Sequence, residues 1–237
     1  MQKLLSKLRK AINDFDLIQD NDKIAVGLSG GKDSICLLQL LKKYQRFSPE
    51  KFDLIAIVID PNSGADFSPM EEMCSEMDIP IHIYKTNIKE IVFDIRKEKN
   101  PCSLCANLRR GALNDYAKKL GCNKLALGHH KNDAVETLLM SMFYEGRISS
   151  FSPKTYLNRR DITLIRPMVY INEYETKSIS KKYNFKIIDN PCPANGYTKR
   201  EYMKDLISSL EKDIPGIRDR LLGCLTNTDQ LNIWKKN

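Results

Sequence analysis

A chain of 237 residues with 42% hydrophobic and 29% charged side chains can bury one substantial α/β core and reads as an ordinary soluble globular protein. No window approaches the ~18 continuous apolar residues of a membrane span, so no membrane partner is expected. The net charge of +8 favours a polyanionic partner, because lysine and arginine release counterions condensed on phosphates, and seven cysteines, an odd number, argue against a disulfide framework.

Residues 1–18 place Leu4, Leu5, Leu8, Ala11, Ile12 and Phe15 at helical spacing, interrupted by Lys7, Arg9 and Lys10. This predicts an amphipathic N-terminal helix rather than a secretory signal, with a cytoplasmic location as the expectation. A β-branched run from Ile24 to Leu28 then meets SGGKDS, and DSICLLQLLKKY carries Ile35, Leu37, Leu38, Leu41 and Tyr44 at helical spacing. The run Phe52–Asp60 is continuous enough for a buried parallel strand. PNSGADFSP breaks it, MEEMCSEMD reads as a helix, and IPIHIYKT as a third strand followed by a helical pattern through Glu98.

The segment PCSLCANLRRGALNDYAKKLGCN is a loop opening into a helix that stops near Gly121. KLALGHH is a fourth strand, and NDAVETLLMSMFYEG a helix ending at Gly146. ITLIRPMVY gives a fifth strand, NEYETKSISKKYNF a helix and KIIDN a short strand, before a polar and mostly helical tail from Thr198. Such alternation predicts the α/β class: a doubly wound, mainly parallel sheet with helices on both faces. The expected organisation is an N-terminal helix over 1–20, a sheet domain over 21–195 and a helical C-terminal extension over 196–237.

SGGKDS stands at the carboxyl end of the first strand, where open α/β sheets bind ligands. Gly30 and Gly31 allow close approach of backbone to an anion at a helix start, Ser29 and Ser34 add hydroxyl donors, and Lys32 adds a point charge. Asp33 is out of keeping with an anion site unless it helps hold a metal ion or orients a hydroxyl. The plain alternative is a Gly-Gly turn with Asp33 or Ser34 capping the helix. The pattern is neither the Walker motif nor the dinucleotide GxGxxG.

Cys102 and Cys105 have C-x-x-C spacing, and Cys192 lies between prolines in NPCPANG. Spacing alone leaves three readings: half a zinc site, a thioredoxin-like redox pair, or three ligands of a [4Fe-4S] cluster with one open iron. Cys36 and Cys74 in helical patterns, Cys122 after Gly121, and Cys224 in the tail read as buried or incidental residues.

SGGKDS resembles the PP-loop of N-type ATP pyrophosphatases. With PCSLCANLRRGAL, GHHKNDAVETLLMSMFYEG, IRPM and NPCP following in order over most of residues 20–210, the chain resembles the tRNA 2-thiocytidine synthetase family. The resemblance implies an adenine nucleotide alpha hydrolase-like fold, with ATP and Mg2+ used to adenylate cytidine 32 of a tRNA before sulfur replaces its 2-oxo oxygen. It implies nucleotide contacts from Ser29, Gly30, Gly31, Lys32, Asp33, Ser34, Gly128 and His129, and catalytic roles for Lys32, Asp33 and Asp133. It implies a [4Fe-4S] cluster on Cys102, Cys105 and Cys192, a sulfur donor (a cysteine desulfurase or sulfide), and a homodimer. One departure is Asn195, which stands where family members carry a second downstream cysteine that is not a ligand.

Other readings stay open beside this one. His129 and His130 could meet the nucleotide or the activated base, or be structural; Asp133 could assist Mg2+ or balance a helix dipole. Arg109, Arg110, Lys199, Arg200 and Lys204 could guide RNA or form solvated faces. Rival functions are a 2-thiouridine synthetase, a lysidine synthetase, which needs no cysteine site, and a non-catalytic RNA-binding or metal-storage module.

Overall fold

The computed structural model describes residues 1–62, 64–96, 101–188, 198–227 and 229. Helix α1 (Gln2–Asp14) buries the stripe Leu4, Leu8, Ala11 and Ile12. Then come β1 (Asp22–Leu28), α2 (Lys32–Gln45), β2 (Phe52–Asp60), α3 (Ser68–Glu76) and β3 (Ile81–Lys85). A short helix, α4 (Ile88–Glu90), runs into a π-helical turn (Ile91–Ile95). α5 (Pro101–Lys119), β4 (Lys124–Ala126), α6 (Lys131–Glu145), β5 (Lys154–Leu157) and β6 (Ile162–Ile165) follow, then α7 (Glu173–Lys182), α8 (Lys199–Asp213) and α9 (Ile217–Thr226).

The sheet has strand order β3-β2-β1-β4-β6-β5, parallel throughout except for the β5/β6 pair. β1 sits between β2 (Val26 opposite Ala56) and β4 (Val26 opposite Ala126). The order therefore reverses at β1, and the carboxyl ends of β1 and β4 border the switch-point crevice where such sheets take ligands.

Side-chain alternation along the strands supplies two cores. Ile24, Val26 and Leu28 of β1 with Leu54, Ala56 and Val58 of β2 pack under α1, α2 and α3. Ala25, Ile55, Ile57 and Ile59 join Leu125, Ile162 and Leu164 on the opposite face, under α5. A Cβ on Gly27 would come 2.8 Å from Leu113 Cδ2, so a glycine there lets α5 lie close on the sheet. Ile57 is fully buried, and truncating such a side chain to alanine costs roughly 2–5 kcal/mol.

The chain divides into two compact units. One comprises Met1–His130 and Pro153–Asn195 and holds the whole sheet; the other comprises Lys131–Ser152 and Gly196–Asn237 and holds α6, α8 and α9. The second unit packs Val135 and Leu139 of α6 against Met203 and Ile207 of α8.

Three local features differ from the sequence expectation. β5 was not anticipated, because KTYL is a half-exposed antiparallel edge strand with no apolar run to mark it. The short strand expected at KIIDN does not form over its described residues, 186–188; instead the Ile188 N–H donates a single bond to the Gly30 carbonyl at 3.1 Å. β4 ends at Ala126, so GHH is loop rather than strand.

Candidate active site

The loop after β1 is shaped by its serines and glycines. Ser29 and Ser34 bring their hydroxyl oxygens within 3.2 Å, and the Ser34 hydroxyl donates to the Gly31 carbonyl at 2.9 Å. Gly30 has φ +84°, a left-handed conformation that L side chains rarely adopt. Gly31 is the N-cap of α2 in extended conformation, and with no side chain it leaves the helix N-terminus bare. Backbone N–H groups and the positive end of the helix dipole thus face the carboxyl edge of the sheet.

Lys32 opens α2. Its ammonium lies 2.8 Å from Asp33 Oδ2 and 3.4 Å from Glu173 Oε1 at the start of α7. Burial works against the charge on Lys32, but Asp33 and then Glu173 outweigh it and hold its pKa above the usual lysine value. The other Asp33 oxygen accepts from the buried Thr176 hydroxyl at 2.6 Å, and His130 Nε2 lies 3.8 Å from Oδ2. Asp33 thus orients a hydroxyl, one of the two roles that reconcile it with an anion site.

Sequence reasoning did not single out Glu173 or Thr176. Both lie on the first turn of α7, after the last parallel strand, three residues apart and so on one helix face. The available signal was Asn172 with Glu175: this capping box fixes where α7 begins and hence which residues reach the carboxyl edge.

Gly128, in the loop after β4, has a packing reason for being glycine. A Cβ there would stand 3.1 Å from the Asp33 carbonyl carbon and oxygen and from Ser34 N, all backbone atoms of the first turn of α2. His129 is half-buried and His130 buried in the same loop.

Of the cysteines, Cys102 lies on the first turn of α5 and Cys105 at the start of the second, since α5 begins at Pro101 rather than after the C-x-x-C loop; proline is well suited to the first helical position. Cys105 is half-buried and packs against the α5-side core. Cys192, and Asn195 with it, lies outside the described residues. The fully buried thiols are held towards their protonated form. Burial, with Asp33 adding to it, pushes Cys36 up to about 12; burial pushes Cys74 up to about 11 and raises Cys122. Cys224 is exposed on α9.

Asp133 belongs to the helical unit. On the first turn of α6, its Oδ1 lies 3.6 Å from Arg200 Nη1, which also lies 3.1 Å from Glu136 Oε2. Burial, then the Asp133 charge, holds the Glu136 carboxyl above its usual range, while Arg200 pulls it back. Lys131 pairs with Asp219 of α9, and Lys199 sits 4.4 Å from the Tyr144 ring centroid. Arg200 and Lys199 therefore have partners inside their own unit, whereas Arg110 on α5 is exposed.

The PP-loop domain family matches residues 1–209 of the chain. Over 232 residues the chain is 39% identical to a tRNA-cytidine(32) 2-sulfurtransferase of Pelobacter propionicus, covering 95% of this chain and 86% of the relative. Over 222 residues it is 41% identical to the enzyme of the same name from Syntrophotalea carbinolica, covering 92% and 86%. Among solved structures, the U34-tRNA thiolase NcsA from Methanococcus maripaludis with its [4Fe-4S] cluster matches with a TM-score of 0.78 at 27% identity, covering 99% of this chain and 80% of that one. The NH3-dependent NAD synthetase of Campylobacter jejuni, at 18% identity and a TM-score of 0.51, covering 100% and 97%, shares the fold. A PP-loop after β1 and near-complete alignment with sulfurtransferases together assign the chain: it belongs to the PP-loop enzymes and, among them, to the tRNA-cytidine(32) 2-sulfurtransferase family.

Proposed function

We propose that this enzyme adenylates the 2-oxo oxygen of cytidine 32 in a tRNA and replaces that oxygen with sulfur, with a [4Fe-4S] cluster on Cys102, Cys105 and Cys192. The observation that carries the reading is the meeting of the loops after β1 and β4 at the switch point, where Gly128 abuts the first turn of α2. The nucleotide enters as its Mg2+ complex, its phosphates on Ser29, Gly30, Gly31 and Ser34, with Gly128 and His129 bordering the cradle. Asp33 bonds Lys32 and Thr176 already, yet an ionised carboxylate has about four lone-pair sites, so it retains capacity for the nucleotide's Mg2+. Asp133 is the second catalytic carboxylate of this reading.

The cytosine 2-oxygen attacks the α-phosphorus, and the bonding pair to the bridging oxygen departs with pyrophosphate. Lys32, held charged by its two carboxylates, stabilises the negative charge that develops there. C2 now carries AMP as leaving group. Hydrosulfide adds to C2 and gives up its proton; the C2–O bond breaks, AMP leaves with the electron pair, and C2=S remains. Sulfur that comes from a cysteine desulfurase as a persulfide reaches this level only after a thiol or other two-electron reductant has cleaved the S–S bond.

The donor set suits the cluster. Two cysteines three residues apart near a helix start have the spacing and the soft-ligand chemistry that an iron-sulfur cluster takes, whereas burial holds Cys36 and Cys74 protonated. When bound, the cluster supplies a thiophilic iron with an open position that holds sulfur as a nucleophile without net redox change. A homodimer in the cytoplasm completes the reading. The alternative of 2-thiouridine formation draws on the likeness to the U34-tRNA thiolase.

The test is anaerobic purification, iron analysis and nucleoside mass spectrometry of tRNA treated with ATP, Mg2+ and sulfide. The expected result is 2-thiocytidine at position 32, with one AMP and one pyrophosphate released per sulfur inserted. Cys105→Ser should lose iron and thiolation together. Thiolation of a uridine instead, or iron and activity both intact in Cys105→Ser, would overturn the reading.

A further inference from the structure

The N-terminal helix has no part in the proposed mechanism, yet one of its side chains reaches the turn that holds Lys32. α1 is seated on the core through Leu4, Leu8, Ala11 and Ile12, so Lys7, beside the fully buried Leu8, starts from a fixed backbone. Its ammonium lies 2.6 Å from Glu175 Oε2, a partner 168 positions away whose side chain is only 11% exposed. The same Glu175 oxygen accepts from the Asn172 N–H at 2.9 Å and from Asn172 Nδ2 at 3.3 Å, closing the capping box at the start of α7. Burial works to raise the Glu175 carboxyl, but Lys7, and after it the Asn172 N–H, outweigh burial and hold its pKa below the usual range.

The first N–H groups of a helix have no intrahelical partners, so such a turn frays unless its cap pins it. Further along α7, Ile179 anchors the helix in the core; its first turn is held from α1, through Lys7 and Glu175. That turn carries Glu173, 3.4 Å from the Lys32 ammonium, and Thr176, which donates to Asp33 at 2.6 Å. Asp33 in turn accepts from Lys32 at 2.8 Å through its other oxygen. One helical turn therefore joins the ion pair on α1 to both carboxylates around Lys32, and all of these residues belong to the sheet unit.

We propose that Lys7 is a positioning residue for Lys32: by holding Glu175 it fixes the first turn of α7, and through Glu173 and Thr176 the ammonium at the mouth of the nucleotide loop. The proposal rests on the functional reading above, which gives Lys32 the task of stabilising the departing pyrophosphate.

The test follows tRNA-dependent pyrophosphate release by the anaerobically purified full chain at saturating tRNA. Lys32 acts on charge that develops only as the bond breaks, so Lys7→Gln should lower kcat about ten-fold without raising KM for ATP. A misplacement near 1 Å, caused far from the chemistry, can cost up to about a hundred-fold. Lys7→Arg keeps the charge and should retain most of kcat. Lys7→Gln combined with Thr176→Val should stay within about two-fold of Thr176→Val alone, because both act on the same turn; independent effects would multiply to about a hundred-fold. Lys3→Gln removes a charge from an exposed position of the same helix and should match wild type. Amide exchange in Lys7→Gln should quicken over the first turns of both α7 and α2.

An unchanged kcat in Lys7→Gln would overturn the proposal, as would a fully multiplicative loss in the double variant, an equal loss in Lys3→Gln, or a loss that Lys7→Arg fails to rescue. Unchanged exchange at the start of α2 would overturn it too. If Lys7→Gln fails to fold by thermal melt, Glu175→Gln takes its place with the same expectations, since glutamine can keep the cap but not the ion pair. A wild-type chain that releases no pyrophosphate with tRNA would instead sink the functional reading, and the exchange comparison would still decide whether Lys7 governs the start of α2.

Discussion

Gly30 and Gly31 are adjacent, yet substituting them should break different things. At Gly30 the φ of +84° costs an L residue about 1–2 kcal/mol, and the added Cβ would sit 2.9 Å from Met70 Cε and 3.1 Å from Ile188 Cβ. Overpacking of this kind adds roughly 1–3 kcal/mol, and the lost unfolded-state freedom returns about 0.4–1 kcal/mol. Gly30→Ala should therefore destabilise by roughly 2–3 kcal/mol, which lowers the melting temperature of a chain this size by about 5–10 °C. Gly31, in contrast, has φ −80°, and its added Cβ would meet nothing nearer than Ser29 Oγ at 3.5 Å. Its unfolded-state gain offsets the poorer N-cap quality of alanine, so Gly31→Ala should melt within about 0.5 kcal/mol of wild type. If phosphate oxygens come down on that backbone, however, the methyl occupies their place, and ATP affinity should fall at least ten-fold. Thermal melts and titration calorimetry with ATP and Mg2+ separate the two effects. Native ATP affinity in Gly31→Ala would refute the assignment of this turn as the phosphate seat.

Four further outcomes follow from the site. Thr176→Val removes the hydroxyl that donates to Asp33 at 2.6 Å; tRNA-dependent pyrophosphate release should slow about ten-fold, since a bond to a charged group contributes about 1.5–3 kcal/mol, while Thr176→Ser should keep most activity. Gly128→Ala forces a Cβ against backbone at 3.1 Å and should destabilise by about 1–3 kcal/mol in urea unfolding, with ATP affinity falling as α2 shifts; wild-type behaviour in both would show that the packing tolerates it. Glu136 has a folded pKa raised above its unfolded value, so its contribution to stability is fully present below the unfolded pKa and is lost as pH rises through the folded one; Glu136→Gln should lack that decline, and parallel stability curves from pH 4 to 7 would contradict it. Glu173→Gln removes a carboxylate that competes with phosphate for Lys32, so Mg2+-free ATP should bind more tightly, by about ten-fold if the Coulomb relief is near 1–2 kcal/mol, and weaker binding would refute the competition.

The parts of the fold visible in the sequence are those where burial imposes a pattern. β2 was legible to the residue as Phe52–Asp60, because a central parallel strand covered on both faces must be apolar continuously. β5 was not, because an edge strand half open to water needs no such run. KIIDN has strand-like composition, yet its Ile188 makes one bond onto Gly30, and local propensity cannot distinguish a ladder from a single tether. Cys36 and Cys105 differ little as letters, and each is the fifth residue of its helix; the difference lies in burial, Cys36 being sealed in the core and Cys105 only half-buried.

Asp33 makes the clearest case for what chain separation hides. As a sequence feature it was an anomaly, a carboxylate inside an anion cradle, with orientation of a hydroxyl as one explanation. The hydroxyl belongs to Thr176, 143 residues away, and no local pattern could have named it. The same turn of α7 brings Glu173, so two carboxylates surround the one ammonium at the mouth of the loop. That arrangement keeps Lys32 charged and pointed before any nucleotide arrives, when a lone half-buried lysine would be drawn towards neutrality. On the proposed mechanism, nucleotide binding would exchange the more distant carboxylate for phosphate and leave Asp33 to hold the geometry. A site meant only to bind an anion would do better without either acid; one that must present a charged, oriented lysine as pyrophosphate departs needs them.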